Sequence, residues 1–298
     1  MTRPTLSRLA LSTLVLASVC GLAACGKKDD GGTPVATPSV TLNHDRAPAG
    51  SPIEITYKFV VAPGATFAQD YRVMSHVVDT DEELMWTDDH NPTPPTSQWK
   101  PGQTVEYTRT VFVPIFPYVG EATIQLGMYS AGDQKRLPLA GQDVGQRAYK
   151  VATLTLAPQT DNLFTVFKDG WHPAEVAEKN AAVDWQWTKK DATLAFKNPK
   201  KDAVLYLDVD SPAANLHGEQ QVTVTLGGQT LDQFSVKPDT DRVLRKIKMP
   251  SAAMGADEMS ELHIVVDKTF VPMEVSNGAS KDPRELGVRV FHAYVDPR

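Results

Sequence analysis

Trp171, Trp185 and Trp187 are the residues of this 298-residue chain whose type and spacing speak most directly of chemistry. An indole offers a flat apolar plane on which the C–H faces of a sugar ring can stack, and sugar hydroxyls call for forked partners such as Arg, Asp and Glu. Trp185 and Trp187 are two apart, so on a strand they share one face. Glu175, Asp282 and Arg284 are the candidate polar partners. Trp171 lies between Gly170 and His172-Pro173, a loop context, and Arg284 lies in a second loop before Leu286. Loops of a sandwich cluster at its ends, so Trp171, Glu175 and Arg284 are expected to form one shallow, exposed surface. The same residues also fit a structural role, each Trp as a core plug and the Asp282–Arg284 pair as a staple between loop and strand.

The other reactive side chains say less. His76, His90, Asp88 and Asp89 are of metal-ligating type but lack ligand spacing, so no metal site and no cofactor is read here. His292 shares strand parity with Val288 and Val290 and is expected to point inward. Asp79, Asp81 and Glu82 lack the Gly of a calcium loop and read as an acidic turn. A nucleophile elbow, a zincin motif and a phosphate-cradling Gly loop are all missing. Carboxylate pairs for glycoside hydrolysis are defined by separation in space, which sequence does not give. The reading is a non-enzymatic chain.

The elements that must position these groups are strands. Ile53, Ile55, Tyr57 and Phe59 alternate with Glu54, Thr56 and Lys58, and Ala122, Ile124, Leu126 and Met128 alternate with polar neighbours. Each is a half-buried strand. Further strands are expected at 39–43, 71–79, 83–86, 104–113 and 148–156, with turns at 79–83 and at Pro101-Gly102. Seven such strands predict an antiparallel, immunoglobulin-like sandwich over 39–157. Beyond Ala157-Pro158, strands at 184–188, 192–197, 203–210, 221–226, 229–236, 242–248, 262–267 and 286–295 predict a jelly-roll sandwich over 161–298. A helical turn is expected at 251–254. The fold class is therefore all-β.

Composition supports two modest cores: 41% of residues are hydrophobic and 22% charged. The formal net charge of −6 argues against nucleic-acid binding, which needs clustered Lys and Arg. Arg3 and Arg8 precede an apolar run over 9–22, the pattern of an export signal. Leu22-Ala23-Ala24-Cys25 then resembles the lipobox of bacterial lipoproteins. That resemblance implies cleavage after residue 24, diacylglycerol on the Cys25 thiol, and permanent anchoring, since a single acyl chain holds a membrane only marginally. Gly26, in place of Asp, implies the outer membrane, with the body facing the periplasm. Cys20 falls in the discarded segment, so no thiol remains for a disulfide. Residues 25–38, Gly- and Pro-rich, read as a flexible tether of roughly 20 Å.

Two longer stretches carry a family resemblance. His76–Asp79, Trp86-Thr-Asp-Asp-His90, Pro94-Pro95, Trp99-Lys-Pro-Gly102 and Leu126-Gly-Met-Tyr129 resemble accessory sandwiches found as extracytoplasmic tails of bacterial membrane glycosyltransferases. Gly170-Trp-His-Pro173, Trp185-Gln-Trp187 and Asp282-Pro-Arg-Glu-Leu-Gly287 are similar to galactose-binding-like jelly rolls of the same setting. The resemblance implies a cell-envelope protein that binds or handles a surface polysaccharide. Two alternatives stand beside it: a structural lipoprotein docking an envelope protein partner, and a glycan-active hydrolase.

Overall fold

The computed structural model describes residues 31–115, 118–211, 219–238 and 242–298. The apolar run 9–22, Cys25 and the first part of the expected tether lie outside the described residues.

Among the described residues nine strands precede residue 158: β1 (Ala36–Leu42), β2 (Arg46–Pro48), β3 (Pro52–Val61), β4 (Tyr71–Val78), β5 (Leu84–Thr87), β6 (Thr104–Phe112), β7 (Gly120–Ser130), β8 (Gln142–Asp143) and β9 (Tyr149–Ala157). They form a three-stranded sheet, β1-β3-β6, facing a sheet of order β2-β9-β7-β4-β5 in which β8 also pairs with β9. All pairings are antiparallel except β2 with β9. The alternation predicted for β3 decides what is inside: Ile53, Ile55, Tyr57 and Phe59 are fully buried and meet Ile124, Leu126 and Met128 of the opposite sheet in one core. Each such side chain contributes about 1.5–3 kcal/mol by leaving water.

Ten strands follow among the described residues: β10 (Thr165–Phe167), β11 (Glu175–Ala177), β12 (Asn180–Trp187), β13 (Asp191–Lys197), β14 (Ala203–Asp210), β15 (Gln220–Leu226), β16 (Gln229–Val236), β17 (Val243–Met249), β18 (Met259–Val266) and β19 (Arg289–Pro297). They make two five-stranded sheets, β10-β13-β18-β15-β16 and β11-β12-β19-β14-β17. Leu194, Leu205, Leu207, Val224, Ile264 and Val290 fill a second core between them. The all-β expectation, two antiparallel sandwiches with the second a jelly roll, holds.

Three expectations change. The flexible tether stops short of residue 38, because Ala36 begins β1 and pairs with Val61. Pro38 is tolerated there since β1 is an edge strand with one unpaired side. A second short helical turn, Pro272–Val275, joins the expected one at Ser251–Met254. His292 does not point inward. Val209 pairs with Val290 while Asp208 pairs with His292, which leaves Phe291 as an extra residue in β19. This bulge inverts the parity, so Phe291 and His292 both face away from the second core.

Residues 33–298 form one compact unit. Glu54 of β3 accepts hydrogen bonds from the Tyr206 hydroxyl and from Lys246 Nζ, both at 2.9 Å. Burial works to raise the Glu54 carboxyl, but those two bonds together with the charges of Lys246 and Arg298 outweigh it and hold the group below its ordinary value. Asn162, in the connecting segment, donates to Ala49 O at 2.7 Å and accepts from the Tyr294 hydroxyl at 3.0 Å. The Phe112 ring stacks on the His292 imidazole, centroids 3.7 Å apart and 6° from parallel.

Candidate functional site

Core residues 203, 205, 207 and 209 of β14 fix the geometry of its other face. Asp208 and Asp210 must point away from the core, and the register then aligns Asp210, Arg289 and Trp187 in one row across β14, β19 and β12. Trp185, two residues earlier, and its register partner Glu175 on β11 continue the same face.

Arg289 binds Asp210 through both prongs of its guanidinium, Nε to Oδ1 and Nη2 to Oδ2, each at 2.7 Å. The same guanidinium lies 4.9 Å over Trp185, 5.4 Å over Phe291 and 5.8 Å over Trp187. On the other flank, Arg284 Nη1 sits 2.7 Å from Glu175 Oε1, while Nε and Nη2 grip Asp282 at 2.9 and 2.7 Å. The Arg284 bonds hold the Asp282 carboxyl below its ordinary value, and Asp282 in turn raises the guanidinium. Both carboxylate–arginine pairs are bidentate on one side, which fixes orientation as well as charge. Trp185 is half-buried between them; Trp187 is buried, with Phe270 edge-on at 5.7 Å.

Of the residues singled out in the sequence, the structure brings Glu175, Trp185, Trp187 and Arg284 together. It places Trp171 elsewhere. Its indole N–H donates to Thr193 O at 2.8 Å, Phe167 packs edge-on at 4.7 Å, and the ring lies against the second core. The expectation of an exposed Trp171 ring is corrected: the ring is half-buried, held by the Thr193 bond and packed on the second core. Arg242 lies 3.5 Å over the Phe291 ring and 3.5 Å from Asp208 Oδ2; it, Arg289, Asp210, Phe291 and Asp208 belong to the site but carried no sequence signal, because each pairs across strands far apart in the chain.

The three quoted motifs of the jelly roll interlock. His172 N donates to Trp187 O at 2.9 Å, and Lys189 N to Gly170 O at 2.7 Å. Gly287 N donates to Thr188 O, and His172 Nε2 lies 2.7 Å from Glu285 O, an acceptor, so Nε2 carries the proton. Gly170 (φ +82°) and Gly287 sit where a Cβ would strike the chain, at 1.8 Å from Asp191 O and 2.4 Å from Thr188 Oγ1.

The first sandwich holds its own polar cluster. Asp88 receives Arg109 Nε and Nη2 at 2.8 and 2.7 Å and the Tyr57 hydroxyl at 3.0 Å. Buried His90 has Nδ1 2.6 Å from Asp88 O and Nε2 2.8 Å from the Tyr107 hydroxyl. A carbonyl only accepts, so Nδ1 is the protonated nitrogen and Nε2 accepts from Tyr107. Burial holds His90 below its ordinary value, and pushes the Tyr57 and Tyr107 hydroxyls up. His76 lies 3.5 Å from Asp89. Among the described residues, no three His, Cys, Asp or Glu converge as metal ligands would.

No protein-family profile matches this chain, and no curated protein matches it. Among solved structures it is similar to the CBM51-2 and INT domains of Clostridium perfringens ZmpB, at 11% identity and TM-score 0.26, over 60% of this chain and 38% of that one. It is also similar to the CBM22-1–CBM22-2 tandem of Paenibacillus barcinonensis Xyn10C, at 9% identity and TM-score 0.27, over 84% and 79%. A third is Bacteroides uniformis β-glucuronidase, at 10% identity and TM-score 0.30, over 88% of this chain and 30% of that one. The chain thus spans under two-fifths of the ZmpB structure, and these neighbours include carbohydrate-binding modules.

Proposed function

We propose that this chain is a non-catalytic, lipid-anchored protein of the bacterial cell envelope that contacts a surface glycan through the outer face of its second sandwich. One observation carries the reading: the half-buried Trp185 ring sits between two arginine–carboxylate pairs, Arg284 with Glu175 and Arg289 with Asp210. A flat apolar plane beside fixed donors and acceptors is the pairing that a sugar ring, apolar on its faces and polar at its edge, requires. The hydrolase reading finds less support. Asp88 and Asp208, which border one cleft, are each engaged by a guanidinium, Arg109 and Arg242.

The test is titration of the Cys25→Ser chain, freed from the membrane, with purified envelope polysaccharide, followed by Trp fluorescence. Trp185→Ala is expected to lower affinity about tenfold or more while the protein stays folded. Unchanged affinity in that variant would remove Trp185 from the site.

A further inference from the structure

We infer that the cleft between the two sandwiches is a groove for an extended stretch of an uncharged oligosaccharide, continuous with the Trp185 face. The inference rests on the reading of that face as a sugar-contacting surface and gives it a substrate class.

Size is the first argument. The cleft is broadly open to solvent and has a volume of about 1610 Å³, beyond the ~300–1,000 Å³ of sites for one small ligand. Both sandwiches wall it, β6 and the segment after it on one side and β19 on the other, with the connecting segment 159–165 between. A monosaccharide would leave most of it wet; several linked units would fill it.

Charge is the second. The lining carries the carboxylates of Asp88, Asp184 and Asp208 against the guanidiniums of Arg109 and Arg242. Asp88 and Asp208 are paired with those guanidiniums, which leaves Asp184 as one carboxylate in excess; in a chain of net −6 this disfavours a polyuronate relative to a neutral chain. The groups are nonetheless suited to hydroxyls. Arg109 gives Asp88 two of its N–H donors, leaving others to a ligand.

The apolar contribution is the third. Ile115, Phe164 and Val176 line the cleft and are 66%, 62% and 54% exposed. Exposed apolar side chains on both walls offer contacts for the C–H faces of sugar units. Phe291 joins the cleft to the outer face: it lines the cleft, and its ring lies 5.9 Å from that of Trp185.

The test is an array of neutral and uronic-acid oligosaccharides of roughly two to eight units, probed with the Cys25→Ser chain and three variants built on it. Thr160→Trp and Asp184→Trp place an indole in the groove from exposed positions; Trp185→Ala removes the face. Melting temperatures identify folded variants, and either groove variant suffices. Neutral chains of about six units are expected to bind at least about tenfold tighter than disaccharides of the same sugar. Both groove variants should erase that gain and leave disaccharide affinity intact. Affinity independent of length, a preference for uronates, or a length gain that survives both groove variants overturns the inference. An array silent for every saccharide, as a peptide-binding cleft would give, overturns it together with the Trp185 reading. A length gain lost in the groove variants but untouched by Trp185→Ala would keep the cleft and remove the face.

Discussion

Arg289 and Asp210 form a two-pronged ion pair, 2.7 Å at each prong, whose guanidinium lies over Trp185, Trp187 and Phe291 at once. One carboxylate thereby positions a cation that organises three aromatic rings. Asp210→Asn should leave the guanidinium without its countercharge in a site that is mostly buried. The expected loss is about 2–3 kcal/mol, somewhat under that for a fully buried pair. Removing Arg289 as well, by Arg289→Gln, should recover part of it. Denaturant melts of the two single variants and the double variant give the coupling directly; additive losses would mean the pair is worth little.

Trp171 and Trp185 should respond oppositely to truncation. Trp171→Ala removes a ring packed on the second core and its bond to Thr193 O, at an expected cost of about 3 kcal/mol. Glycan affinity per folded molecule should not change. Trp185→Ala should show the reverse pattern, a small change in melting temperature with weakened binding.

The motif glycines are expected to be intolerant of one added carbon. Gly170→Ala puts a Cβ 1.8 Å from Asp191 O at a φ of +82°, and should cost at least about 3 kcal/mol. Gly228, at φ +77° with nothing within 4 Å, is the control, and Gly228→Ala should cost about 1 kcal/mol. Thermal melts separate the two.

Acidification should weaken the fold through His90. Burial holds its imidazole below the ordinary value, with Arg109 pushing the same way and Asp88 and Asp89 opposing. Near neutral pH the ring is uncharged in both folded and unfolded chains. As pH falls through about 6.5, the unfolded chain takes up the proton first, so stability declines by about 1.4 kcal/mol for each unit of depression until the folded ring titrates. His76, lowered chiefly by burial as well, adds in the same direction. Melting of wild type and His90→Gln between about pH 7.5 and 5 should show a shallower slope in the variant; parallel curves would count against this account.

Anchoring is checked separately. Cys25→Ser should move the chain from the membrane fraction to the soluble periplasmic fraction. Retention after a carbonate wash would contradict the lipobox reading.

Much of the scaffold was legible because period-two alternation is a strong local signal: Ile53 to Phe59 and Ala122 to Met128 are inward as read. Strands of two or three residues, β2, β8, β10 and β11, were not, since so few positions cannot display a period. The Glu175–Trp185 alignment went unseen for that reason, although Glu175 and Arg284 were singled out on residue type. Contacts such as Tyr206 to Glu54, 152 positions apart, leave no local trace. Trp171 was misread because Gly and Pro flanks signal a turn and say nothing about which way the ring points.

The extra residue in β19 has a consequence for how this surface can vary. Before it, odd-numbered positions face outward, Arg289 and Phe291 toward the tryptophans; after it, even-numbered positions do, His292 and Tyr294 toward Phe112 and Asn162. A strictly alternating strand would have forced His292 into the apolar interior or Ala293 and Val295 out of it. The added residue keeps polar and aromatic side chains outward along the whole strand, first toward the tryptophans and then toward the first sandwich. Changes at 289 act on the tryptophan face alone, whereas Phe291, His292 and Tyr294 line the cleft between the sandwiches, so changes there alter the grip of the two sandwiches and the groove together.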